Sequence, residues 1–96
     1  MKAFVYILYS TGIDRHYIGF TNEQPEVRLG RHNSDYYDNK YTVQGKPWQL
    51  IFSIECESEH QARQIELHIK KMKSSKYIEN LMKYTDMVDK LKSKYS

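Results

Sequence analysis

Residues 3–21 read AFVYILYSTGIDRHYIGFT: two runs of β-branched and aromatic residues, 3–9 and 16–20, separated by Ser10 to Arg15 with Gly12 and Asp14 among them. Branched and aromatic side chains suit a pleated surface, and turn residues bound the runs, so the stretch predicts a β-hairpin. Its connection is too long for a two-residue turn, and turn geometry does not set the register. Side chains alternate with period two along a strand. In any register whose partner numbers sum to an odd value, Leu8 opposite Tyr17 for example, Tyr6 and Tyr17 share a face of the sheet.

Downstream, the spacing predicts a helix from near Asn22 to about Tyr36. Asn22 is suited to cap it, and Pro25 fits its first turn, where a missing N–H costs nothing. Gly30 weakens this helix, while Arg28 and His32 lie one turn apart and project from the same side. Polar residues from Asn33 to Lys46, with Tyr36, Tyr37 and Tyr41, read as a long connection. Pro47-Trp48 opens a third strand through Glu55, in which Leu50, Phe52 and Ile54 alternate with Ile51, Ser53 and Glu55. Ser58 followed by Gln61 is a capping-box signature. The helix that follows carries Ala62, Ile65, Ile69 and Met72 as one apolar stripe, and Glu66 stands at the border of that stripe, roughly 80° from its centre. Two shorter helices follow, one with Ile78, Leu81 and Met82, the other begun by Thr85 with Val88 and Leu91. The order describes a small α/β domain.

Ninety-six residues suit one domain, and a chain of this length buries only about 60–65% of its unfolded surface. The net charge is +3, unevenly spread: residues 1–60 hold 6 basic and 8 acidic side chains, residues 61–96 hold 9 and 4. The C-terminal third is therefore the part that attracts polyanions, although a run of charge also serves simply to solvate a helix. Cys56 is the only cysteine, so no internal disulfide is expected and a reducing, cytoplasmic setting suits the chain. The apolar start is broken by Ser10 and Thr11 with no small-residue cleavage site after it, which argues for a strand rather than a secretory leader. No run approaches the roughly 20 apolar residues needed to cross a bilayer.

Several residue types here suit phosphate chemistry. A hard divalent cation such as Mg²⁺ takes oxygen ligands and often uses one or two carboxylates, with water and phosphate completing its shell, so Glu66 alone can hold one. The plainer alternative pairs Glu66 with Lys70 at i+4. Arg28 can fork two donors onto phosphate oxygens, or be an ordinary surface charge. A tyrosine, with a pKa near 10, is a poor base unless a nearby cation helps, and with nine tyrosines in the chain several must only pack. His16, His60, His68 and Cys56 lack the short paired spacing of zinc ligands. Lys70, Lys71, Lys73 and Lys76 can grip a nucleic-acid backbone through sequence-independent contacts, or keep the helix soluble.

Taken jointly, Val5-Tyr6-Ile7, Tyr17-Ile18-Gly19, Thr21, Arg28, His32-Asn33-Ser34, Lys40-Tyr41-Thr42, Pro47-Trp48 and the Ala62–Lys71 helix with Glu66 and Lys70 closely resemble the GIY-YIG nuclease domain. The likeness extends from about Phe4 to Leu81 and is strongest to small stand-alone bacterial members related to the nuclease domain of the excision-repair protein UvrC. It implies a three-stranded antiparallel sheet flanked by helices over residues 1–84, with 85–96 as an extra helix. It also implies a catalytic set of Tyr6, Tyr17, Arg28 and His32, one Mg²⁺ or Mn²⁺ on Glu66, and DNA contacts by Lys40, Lys70, Lys71 and Lys73. In that set Tyr6 is the general base, oriented by Tyr17. The implied activity is hydrolysis of DNA phosphodiester bonds, with branched, nicked or damaged duplexes as candidate substrates in repair or recombination. The first motif lacks its glycine and ends in isoleucine, and Phe20 stands where UvrC-like domains carry a lysine. Two other classes fit the same residues: a nucleic-acid-binding module without catalysis, suggested by Phe20 and the basic C-terminal third, and a protein-interaction domain, suggested by the polar 33–46 segment and the extra helix.

Overall fold

The computed structural model describes residues 2–34, 36 and 40–96, leaving aside the side chains of Lys40 and Tyr41. Strands β1 (Ala3–Ser10), β2 (Arg15–Thr21) and β3 (Gln49–Cys56) form one antiparallel sheet in the order β2-β1-β3. The hairpin pairs Leu8 with Tyr17 and Tyr6 with Gly19, one of the odd-sum registers that put both tyrosines on one face. Among the described residues, five helices flank the sheet: α1 (Pro25–His32), α2 (Lys40–Gln44), α3 (Glu59–Met72), α4 (Ser75–Lys83) and α5 (Thr85–Lys94). No described helix is long and apolar enough to cross a membrane.

As the central strand, β1 is buried on both faces, and this explains its near-continuous apolar run. Ala3, Val5 and Ile7 point into the main core, where they meet Ile54 and Cys56 of β3, Ala62, Ile65 and Ile69 of α3, Ile78 and Leu81 of α4, and Leu91 of α5. Each valine, isoleucine or leucine among them contributes roughly 1.5–3 kcal/mol through burial. Tyr6 and Leu8 point the other way, into a smaller cluster with Trp48 that Tyr17, Leu29 and Leu50 flank. An irregularity in the β1–β3 pairing, where Ile7 faces Phe52 but Leu8 faces Leu50, moves Leu50 to the opposite face from Phe52. The simple alternation of Leu50, Phe52 and Ile54 therefore breaks at this bulge.

Three other expectations are corrected. The first helix is eight residues long, from Pro25 to His32, rather than running from Asn22 to Tyr36. Gln24 is its extended N-terminal boundary, while the Asn22 amide donates to Glu59 Oε1 at 2.6 Å instead of capping. Its far end is held by Asn33, whose amide donates to the Trp48 carbonyl at 2.9 Å and accepts the Trp48 N–H at 2.5 Å. Secondly, the 33–46 connection contains α2, against which Trp48 is tied by its Nε1–H to the Thr42 carbonyl. Thirdly, Met72 and Met82, in the last turns of their helices, are partly exposed rather than part of the core stripes. The capping box holds in a modified form: Ser58 Oγ accepts the Gln61 N–H at 3.1 Å, and Gln61 Oε1 reaches back to the N–H of Glu57 at 2.8 Å.

Candidate active site

Period-two alternation and the register of the hairpin make Tyr6 and Tyr17 diagonal neighbours on one face, their rings stacked with centroids 6.3 Å apart. The residue directly opposite Tyr6 is Gly19, and it has to be small. A Cβ there would stand 2.6 Å from Cζ and Oη of the Tyr6 ring, which is buried and has no room to withdraw. His32, at the last turn of α1, closes this group from the other side. Its ring centroid is 4.4 Å from that of Tyr17, and its Nε2 lies 3.3 Å from Tyr6 Oη. Burial, with the neighbouring Arg28 guanidinium, lowers the His32 pKa to about 4. At neutral pH the ring is uncharged, and with its hydrogen assigned to Nδ1 it accepts the Tyr6 hydroxyl at Nε2.

Tyr6, Tyr17 and Gly19 line a cleft of about 330 Å³ together with Arg28 and Glu66. α3 crosses the sheet so that Ala62, Ile65 and Ile69 enter the core, and the border position of Glu66 turns its carboxylate toward the edge strand β2. The carboxylate is buried and bonded to two cations, Arg63 one turn before it and Lys70 Nζ one turn after it at 3.0 Å. The pairing with Lys70 and the position in the cleft are thus both realised. Arg28 reaches the cleft one turn before His32, with Glu23 Oε1 3.8 Å from its Nε. Phenols, a guanidinium and a carboxylate lining one cleft can move a proton, neutralise a phosphate and offer oxygen to a hard cation.

Two cleft residues escaped the sequence reading, Asn22 and Glu59, joined by their 2.6 Å hydrogen bond at the mouth. Glu59 precedes Glu66 by seven residues, two turns on one helix face, and that spacing was the available signal. Phe20 also lines the cleft, and the Arg63 guanidinium lies 5.7 Å from the centre of its ring. Of the lysines, Lys70 pairs with Glu66 and Lys73 lines a neighbouring cavity. Lys71 sits on a different face with Gln64, Leu67 and Met72. The Lys40 side chain lies outside the described residues.

The family model of the GIY-YIG catalytic domain matches residues 2–80, which include every residue of the cleft. The chain belongs to the GIY-YIG family. No curated protein and no solved structure matches it significantly. Membership of the GIY-YIG family makes nuclease chemistry the general function and a nucleic acid the class of substrate. The match ends within α4, so α5 lies beyond it although Leu91 belongs to the same core.

Proposed function

We propose that this GIY-YIG domain is an endonuclease that hydrolyses DNA phosphodiester bonds with one Mg²⁺ or Mn²⁺ held on Glu66. The observation that carries the reading is the meeting of Glu66, Arg28, Tyr6 and Tyr17 in a single cleft. One buried carboxylate with open space before it suits a hard cation that completes its shell with water and phosphate. Such an ion, when bound, supplies Lewis acidity at the phosphate and help for the leaving oxygen. Arg28 and a bound cation would lower the Tyr6 pKa so that its oxygen takes the proton of the attacking water, while the uncharged His32 Nε2, 3.3 Å away, orients the hydroxyl. Tyr17 stacks on Tyr6 and packs against His32, holding both rings in this arrangement. Arg28 donates to the phosphate oxygens and stabilises the charge that builds during attack. Removal of comparable donors slows enzymes by about 10²–10³.

The decisive assay is cleavage of plain, nicked and branched duplexes with Mg²⁺ or Mn²⁺, comparing the native chain with Glu66→Ala and Arg28→Ala. Product from the native chain and little from the variants is expected; equal product from all three removes the assignment. Repair or recombination intermediates are the proposed substrates, supported by the UvrC-like sequence pattern. A cytoplasmic setting suits Cys56, whose buried thiol has a raised pKa and low reactivity. A second reading, binding without cleavage, draws on the saturation of Glu66 by Arg63 and Lys70 and on the apolar Phe20 beside it. It predicts salt-sensitive binding with no product under either metal.

A further inference from the structure

A second cavity, of about 250 Å³, opens beside the candidate active site. β2 is a free edge of the sheet, and α3 runs antiparallel to it. The Asn22–Glu59 bond joins the pair at one end, and the second cavity joins Arg15–Ile18 to Ile69–Lys73 at the other. The two hollows therefore follow one another along the same seam, with Lys70 between them. It contacts Glu66 at 3.0 Å and also lines the second cavity.

The lining of the second hollow carries an excess of positive charge. Arg15, Lys70 and Lys73 line it against a single carboxylate, Asp14, which already accepts the Tyr9 hydroxyl at 2.5 Å. Among the described residues, neither Arg15 nor Lys73 forms an ion pair, whereas Lys2, Arg31 and Arg63 do. Lys73 has φ 48°, the left-handed conformation that favours glycine or asparagine at a helix end, so a lysine there is conformationally costly and places an amine at the cavity wall. Ser74 and Ser75 bring the N-terminus of the nine-residue α4 to the same wall, and its dipole adds partial positive charge.

We propose that this cavity seats a backbone phosphate of the substrate strand, flanking the phosphate that is cut. Along α3, Lys70 lies about 6 Å and Lys73 about 10 Å from Glu66, or roughly two to three nucleotide steps at 3.4 Å of duplex axis per nucleotide. The seat deepens the nuclease reading and rests on it for the nature of the ligand. It makes the enzyme hold the strand on one side of the cut through contacts that ignore base identity.

The test measures equilibrium binding of a labelled DNA duplex across a salt series in EDTA, using the native chain, Arg15→Ala/Lys73→Gly and Lys90→Ala. Lys90 lies on α5 away from the seam and controls for loss of net charge. Loss of the one phosphate that the cavity neutralises makes the slope of log affinity against log salt shallower by about 0.9 in a duplex. The double variant is expected to show that change, whereas Lys90→Ala and the charge-keeping Lys73→Arg are expected to retain the native slope. Lys73→Gly suits the left-handed backbone, so a thermal melt should show the variant folded. An unchanged slope in the double variant, an equal change in Lys90→Ala, or no duplex binding by the native chain overturns the proposal. So does a cavity whose Lys73 and Ser74 amide signals shift with inorganic phosphate but not with DNA. Salt-slope loss in a chain that yields no product under Mg²⁺ or Mn²⁺ sinks the nuclease reading alone; cleavage with an unchanged slope sinks the phosphate seat alone.

Discussion

His32 connects the chemistry of the site to the stability of the fold. Unfolded, it titrates near 6.5; folded, near 4, because burial and Arg28 disfavour its charged form. Between those values the unfolded chain binds more protons, so the stabilising contribution is complete above pH 6.5 and is lost as the pH falls toward 4. At about 1.4 kcal/mol per tenfold change in proton affinity, the loss is on the order of 3 kcal/mol. Urea unfolding of the native chain and His32→Gln at pH 7, 5.5 and 4 checks this, and parallel pH profiles would contradict it. At Gly19, an alanine Cβ would collide with the Tyr6 ring, so Gly19→Ala is expected to cost about 1–3 kcal/mol and to abolish cleavage. Gly30→Ala is the opposite case, since its Cβ meets open space within α1; a gain of about 0.5–1 kcal/mol in thermal or chemical unfolding is expected. Glu66→Gln removes charge between two half-exposed cations that water can solvate. It should shift stability by no more than about 1 kcal/mol while removing Mn²⁺ binding, read by calorimetry.

Among the elements, α3 carries most of the organisation. Its Ser58 cap is expected to contribute about 1 kcal/mol, measurable in Ser58→Ala. Gln61→Ala should cost more, because the same amide bonds the Glu57 N–H and, through Nε2, the Lys92 carbonyl of α5 at 2.9 Å. Equal unfolding midpoints for the two variants would show that the link to α5 contributes nothing. The cap, the apolar stripe and the hairpin were legible in the sequence because each depends on neighbours a few positions apart. The bounds of α1 are not legible locally, for the complementary reason. Asn22 is a good capping residue locally, but Glu59 takes its amide, and the far end of the helix is set by Asn33 gripping the Trp48 backbone. The β3 bulge likewise has no signature in the run Leu50 to Ile54 and follows from pairing with β1.

Over the molecule as a whole, α5 lies beyond the family match yet contributes Leu91 to the core, and Tyr95 just after it makes a 2.8 Å contact with His68 Nδ1. Deleting residues 85–96 should lower stability by at least about 2 kcal/mol from the exposed core alone, and an unchanged unfolding midpoint would show α5 to be an appendage. From residues alone one could tell which groups the chain possesses, that three strands and an amphipathic helix would enclose a small core, and that an odd register turns both phenols one way. Alternation, capping and helical spacing are local rules, and they carry that far. The meeting of the Glu66 carboxylate with those phenols, the close fit of Tyr6 over Gly19, and the parting of Lys71 from Lys70 and Lys73 came with folding. These depend on how far α3 rotates and slides over the sheet, which is set by the joint packing of side chains drawn from every part of the chain.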